Sequence, residues 1–192
     1  MLKAKIILIG AVILSLCIVW ITQRGLMDQN VSNVGQDFNG ADKNDIQLKV
    51  TSSAFENEGN IPSEFSCDGQ DISPPLDITG VPKEAKTLVL IMDDPDAPMG
   101  TFTHWTVWNI PSNKTQFSKN EKIDFPQGIT SFGKTGYGGP CPPSGTHRYF
   151  FKIYALDTKL DLSDGSSLKQ LQSTMSGHVL AEATLMGKYS RI

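Results

Sequence analysis

Thr87–Met92 (TLVLIM), His104–Ile110 (HWTVWNI) and Arg148–Leu156 (RYFFKIYAL) decide the fold class. The first is a continuous apolar run of strand length, the pattern of a strand buried on both faces. The other two are dense in aromatic and β-branched residues, which suit a pleated surface. Gln47–Thr51 alternates polar and apolar residues and reads as a further, half-buried strand. Pro- and Gly-rich stretches separate them: Ser73-Pro74-Pro75, Asp94–Gly100 and Gly133–Gly145. Helical spacing comes late. Ser166–Met175 places Leu168, Leu171 and Met175 at helical intervals behind the capping candidates Asp164 and Ser166. Val179–Met186 has the same character and stops at Gly187, a residue suited to the position after a helix end. Strands separated by turns and followed by two helices predict a mainly β protein, an antiparallel sandwich with two C-terminal helices at one end. There is no internal repeat.

The 192 residues have room for one ordinary domain and a short appendage. With 39% hydrophobic and 19% charged residues, the chain has the balance of a folded protein. A net charge of -3 and the lack of a Lys/Arg run beyond the first five residues argue against a nucleic-acid partner. The N-terminus differs in kind. Lys3 and Lys5 precede an almost unbroken apolar run, Ile6–Ile21, the pattern of a signal anchor or a signal peptide over residues 1–24. Val19, Trp20 and Ile21 are poor cleavage residues, which favours an uncleaved membrane-anchor helix over a cleaved signal. Cys17 invites a lipoprotein reading, but Leu16 stands where a small residue should precede it. The positive-inside rule then puts the rest of the chain outside the cytoplasm, tethered to the membrane or exported. Residues 25–45 read as a flexible polar linker, and 46–192 as the folded domain.

Chemistry concentrates in four segments: Ser66–Pro75, Asp93–Pro98, Thr103–Trp108 and Gly138–Tyr149. The prolines in Asp94-Pro95-Asp96-Ala97-Pro98 stiffen that loop, which can hold a carboxylate in a set orientation or simply make a turn. His104 and His147 each open an aromatic-rich strand beside one of these loops. Taken by themselves they fit a structural role and a ligand-holding role equally. His178, in the late helical region, reads as structural.

Asp94-Pro-Asp-Ala-Pro98, then His104-Trp105, then Gly139-Pro140-Cys-Pro-Pro-Ser-Gly-Thr-His147-Arg148-Tyr149 resemble the two signature blocks of the phosphatidylethanolamine-binding protein (PEBP) family. Their order and spacing are similar to its bacterial and archaeal branch, often labelled Raf-kinase-inhibitor-like. Asp68-Gly69, Ser73-Pro74-Pro75 and the closing Ala181–Arg191 stretch resemble that branch too, so the likeness spans about residues 47–192. The resemblance implies an antiparallel Greek-key β-sandwich with one small cavity that binds phosphate, phosphorylated headgroups or carboxylates. It carries Asp94, Asp96, His104, His147 and Tyr149 over as ligand-binding residues, with Gly139 and Pro140 as backbone wall, and calls for no cofactor. Imidazole and phenol donors suit an anion, whereas an Asp in the same cavity repels a dianion and is expected to orient a histidine. The expected binding is weak and strengthens as pH falls.

The resemblance also bears on the cysteines, since exported relatives tend to carry Cys at the positions of Cys67 and Cys141. A disulfide between them would close a loop of about 75 residues, worth on the order of 4 kcal/mol in the chain-entropy picture. Two separate buried thiols are the alternative. Cys17 reads as a packing residue of the apolar segment.

Binding without catalysis is the expected function. Another reading is a protein-interaction or inhibitor module whose pocket takes a partner's acidic or phosphorylated side chain. A phosphoesterase-type hydrolase is weaker: His104-Trp105-Thr106 fits a two-histidine phosphodiesterase element once, His147-Arg148-Tyr149 does not, and neither Ser66 nor Ser144 sits in a nucleophile elbow. His104, His147 and Asp94 are residue types that suit zinc, but no short His-x-His spacing supports a metal site.

Overall fold

The run beginning at Thr87 is a strand buried along its whole length, Thr87–Asp94. It is the third in a computed structural model that describes residues 47–191. In chain order the elements are β1 (Lys49–Thr51), β2 (Leu76–Thr79), β3 (Thr87–Asp94), β4 (Phe102–Pro111), β5 (Gln116–Phe117), β6 (Thr146–Leu156), α1 (Leu168–Met175) and β7 (Val179–Ser190). They make two antiparallel sheets, ordered β1-β2-β5 and β4-β3-β6-β7. Within the larger sheet, β6 returns to pair beside β3 after the chain has passed through β4 and through β5 in the smaller sheet.

Strand alternation sends the side chains of β3 to opposite faces. Leu88, Leu90 and Met92 join the core between the sheets, with Val50, Leu76, Ile78 and Phe117 of the smaller sheet. Val89 and Ile91 face the other way and meet Trp108, Leu156, Leu171 and Met175 under α1. A strand apolar on both sides therefore has a sheet over one face and a helix over the other. The helix begins at Ser167 rather than at Asp164 or Ser166: the Ser167 hydroxyl accepts from Gln170 N, and the Gln170 side chain accepts from Ser167 N at 2.9 Å. Asp164 instead accepts the Gln127 N–H at 2.7 Å.

The second expected helix, over Val179–Met186, is a strand. Its Ala, Glu, Leu and Met residues favour helix intrinsically. Every residue from Ala181 to Ser190 nevertheless has a pairing partner on β6, from Ala155↔Ala181 to Thr146↔Ser190. Without β7 the outer edge of β6 would carry a row of unpaired backbone groups, so the tertiary ladder overrides local preference. The small residues hide a period of two, in which Ala181, Ala183, Leu185, Gly187 and Tyr189 turn inward. Gly187 is not a helix stop. A Cβ there would stand 2.5 Å from Ile61 Cγ1 and 2.9 Å from the Phe55 ring, so the glycine lets the chain around Phe55 and Ile61 pack across the strand.

The expected anchor at 1–24 and linker at 25–45 lie outside the described residues. Among the described residues no helix is long and apolar enough to cross a membrane.

If α1 is the cover of the second core, Leu171→Ala should lower the unfolding free energy by about 2–5 kcal/mol, the cost of a buried Leu deletion. Urea denaturation measures it, and a loss well below 1 kcal/mol would show that α1 is not part of the cooperative unit.

Candidate functional site

Asp93 and Asp94 end β3 on opposite faces. Asp93 pairs with Lys152 Nζ at 2.6 Å. Asp94 faces the other way and is buried, a position that costs several kcal/mol for a carboxylate unless hydrogen bonds compensate it. Two do. The His147 Nδ1–H donates to Asp94 Oδ2 at 2.7 Å, and the Asp96 backbone N–H donates to Asp94 Oδ1 at 2.8 Å. The first bond fixes the His147 tautomer, and among the described residues Nε2 has no hydrogen-bond partner.

His104 reaches the site through a bulge. Met92 pairs with Trp105 and Asp93 with Thr103, so β4 carries one extra residue there, and that residue is His104. Its ring stands edge-on to Tyr149 at 5.2 Å and to Phe132 at 5.4 Å. Its Nδ1–H donates to the Gly138 carbonyl at 2.7 Å, and among the described residues Nε2 again has no hydrogen-bond partner. Burial pushes the His104 pKa below its ordinary 6.5, against the pull of the Gly138 carbonyl and the Asp94 charge, so the ring is neutral at neutral pH. Tyr149 lies behind both imidazoles. Burial and then the charge of Asp94 raise its pKa well above the ordinary value. Its hydroxyl thus keeps its proton, and it has no hydrogen-bond partner of acceptable geometry.

Asp94, His104 and His147 line a cavity of about 490 Å³. Asp96, Gly139, Pro140 and Tyr149 are not among its lining residues. Asp96 spends both oxygens on Arg148, accepting from the backbone N and Nε at 2.9 Å and from Nη2 at 2.7 Å. That fork, formed with the Arg148 guanidinium, holds its carboxyl down at about 2. Asp96 is therefore a brace that presents its own N–H to Asp94. Gly139 donates its N–H to Asp71 Oδ1 at 2.6 Å and lies so close to Phe65 and Ser66 that a Cβ would drive into the Phe65 carbonyl oxygen. Pro140 accepts the Cys67 N–H at 3.1 Å. These two residues form the layer behind the wall.

The cavity surface is completed by Pro143 of the second motif and by residues the motifs do not mark, among them Met99, Phe102 and Phe132. Met99 is fully exposed and directly continues the Asp94–Pro98 loop, the one sequence signal that could have found it. Phe132 sits in a stretch with no periodicity to read. Cys141 is also in the cavity wall and is bonded to Cys67, with Cα atoms 5.4 Å apart. Of the alternatives open for the two cysteines, the structure has the disulfide. His178 is away from this site and pairs with Asp157 at 2.8 Å. Among the described residues no three His, Cys, Asp or Glu side chains gather as a metal site.

Comparison with known proteins identifies the family and the fold. The family model described as phosphatidylethanolamine-binding protein matches residues 51–190. A UPF0098 protein of Methanothermobacter thermautotrophicus is 51% identical over 150 residues, covering 75% of this chain and 99% of the relative. A phosphatidylethanolamine-binding protein homologue of Chlamydia trachomatis has a crystal structure similar to this one, with a TM-score of 0.74 and 42% identity, over 76% of this chain and 99% of that one. The crystal structure of E. coli YbcL, described as a member of the mammalian PEBP family, matches with a TM-score of 0.71 and 30% identity, at the same coverages.

The depressed pKa of His104 makes a signed prediction. As pH falls, the unfolded chain takes up a proton at this ring near 6.5, before the folded chain does. The stability contributed by the neutral ring is therefore complete above 6.5 and declines below it. An NMR titration should place the His104 ring below 6.5, and urea midpoints should fall between pH 7.5 and 5.5 less in His104→Gln than in the parent. A midpoint difference that is the same at both pH values would contradict this.

Proposed function

Because the chain belongs to the phosphatidylethanolamine-binding protein family, we propose that its cavity binds small anions, a phosphate, a phosphorylated headgroup or a carboxylate, without turning them over. The observation that carries this reading is the engagement of both histidines through Nδ1, to Asp94 and to Gly138, which leaves two Nε2 atoms for one cavity. The neutral His104 can accept from a protonated oxygen of the ligand. His147, once protonated, donates to an unprotonated one. Asp94 disfavours a dianion, so the preferred species carries a single charge or a proton to share.

The Cys141 sulphur is held in a disulfide, and among the described residues no hydrogen bond joins the cavity hydroxyls of Thr101 and Ser131 to a histidine that could activate them, which supports binding over hydrolysis. That disulfide also supports a place outside the cytoplasm, where such bonds persist. The exposed Met99 and Phe132 at the cavity favour one further reading, in which the anion is a phosphorylated or acidic side chain of a partner protein.

Calorimetric titration with phosphate at pH 6 and pH 8 tests the proposal. Binding should be weak, tighter at pH 6, and reduced at least about tenfold by His147→Ala. Equal or tighter binding at pH 8 would sink it. A phosphopeptide that binds more tightly than phosphate itself would select the partner-protein reading, and release of product from phosphomonoesters or diesters would overturn the non-catalytic one.

A further inference from the structure

The disulfide stands in an unusual position for a bond whose only work is to stabilise a fold. Cys67 is an exposed residue and Cys141 a half-buried one, so the bridge joins segments at the surface rather than in the core. Cys141 is part of the cavity wall, beside His147 and Asp94. Solvent-reachable bridges are the ones open to thiol exchange, whereas structural bridges resist it. The bond also ties together two segments that have little regular structure of their own, residues 66–71 and 138–143.

A short chain of contacts runs from the bridge to the ligand-facing imidazole. Next to Cys67, its N–H donates to the Pro140 carbonyl at 3.1 Å. One residue earlier, the Gly139 N–H donates to Asp71 Oδ1 at 2.6 Å. One earlier still, the Gly138 carbonyl accepts from His104 Nδ1 at 2.7 Å, and the Gly138 N–H donates to the His104 carbonyl at 3.1 Å. The segment that orients His104 is therefore held to the rest of the molecule through the Cys67 loop, and the covalent bond is its strongest tie.

We propose that the Cys67–Cys141 disulfide is a thiol-exchangeable switch that sets the position of His104 and thereby the anion affinity of the cavity. This rests on the anion-binding reading above. The reductant is a dithiol, small or protein-borne. One of its thiolates attacks the sulphur of the exposed Cys67, forming a mixed disulfide and expelling the Cys141 thiolate, which takes up a proton. The donor's second thiol, on losing its proton, displaces Cys67 and closes the donor's own disulfide. Two electrons pass to the protein, one S–S bond breaks there and one forms in the donor, and both cysteines end as thiols. The freed 138–143 segment no longer holds the Gly138 carbonyl against His104, and the ring loses its fixed orientation and part of its burial.

Two readouts test this, one with a ligand and one without. Phosphate is titrated into the oxidised protein, into protein reduced with dithiothreitol, and into reduced protein that has been reoxidised. Reduction should weaken phosphate binding by about tenfold, the scale of one lost oriented hydrogen bond to a charged group, and reoxidation should restore it. In parallel, the NMR titration of His104 should move up towards its ordinary value on reduction, because burial is the main cause of its depression. The Cys67→Ser/Cys141→Ser double variant should behave as the reduced protein does. Unchanged affinity together with an unchanged His104 titration would overturn the proposal. So would loss of the far-ultraviolet circular dichroism spectrum on reduction, which would mark the bridge as purely structural. If the oxidised protein binds no phosphate, the anion-binding reading fails, and the His104 titration alone decides whether the bridge controls the ring.

Discussion

A carboxylate with almost no access to water needs two hydrogen-bond donors aimed at it, and in this protein both come from elements that exist for other reasons. Asp94 ends a strand buried on both faces, so its position is set by the packing of Leu88, Leu90 and Met92 on one side and of Val89 and Ile91 on the other. Its donors are the His147 ring at the start of β6 and the N–H of Asp96 in the loop that follows β3. Removing either donor would leave buried charge uncompensated, a loss of about 3–5 kcal/mol for a buried pair broken on one side. The site and the core are thus held by the same strand.

From that pair the rest of the cavity follows outward in layers. Arg148 grips Asp96, Asp96 holds Asp94, and Asp94 holds His147. On the opposite wall, Asp71 holds Gly139, and the neighbouring Gly138 holds His104. Each imidazole is oriented by an acceptor at its Nδ1, Asp94 Oδ2 for His147 and the Gly138 carbonyl for His104. Such support matters because a binding group held loosely loses ordering entropy when it engages. Apart from Asp94, the groups that aim the imidazoles, Gly138 and behind it Asp71 and Gly139, are not among the cavity lining.

Much of this was legible in the residues. The runs at Thr87, His104 and Arg148 announce strands because apolar and aromatic density has one structural meaning at that length. Asp94, His104 and His147 stand out because titratable groups beside rigid Pro- and Gly-rich loops are unusual in strand ends. Other features were misread for identifiable reasons. β7 looks helical because Ala181, Ala183 and Leu185 carry no strand signature of their own, and only pairing with β6 makes their alternation matter. For Asp96, Gly139 and Pro140, motif position does not by itself distinguish a residue facing a cavity from one bracing it. Met99, Phe102 and Phe132 escaped because a wall assembled from distant loops leaves no local pattern.

The amino-acid sequence by itself determined which segments must leave water and which side chains carry charge, protons or sulphur, since hydrophobic periodicity and chemical identity are properties of each stretch alone. It therefore specified the strands at Thr87, His104 and Arg148, the titratable residues Asp94, His104 and His147, and the two cysteines available for a bond. The tertiary structure alone decided that the last strand is not a helix, that one extra residue in β4 turns His104 into the cavity, and that Cys141 lies in the cavity wall. These depend on backbone pairing and on contacts between residues up to 74 positions apart, and no local preference encodes which distant partner will satisfy a buried group.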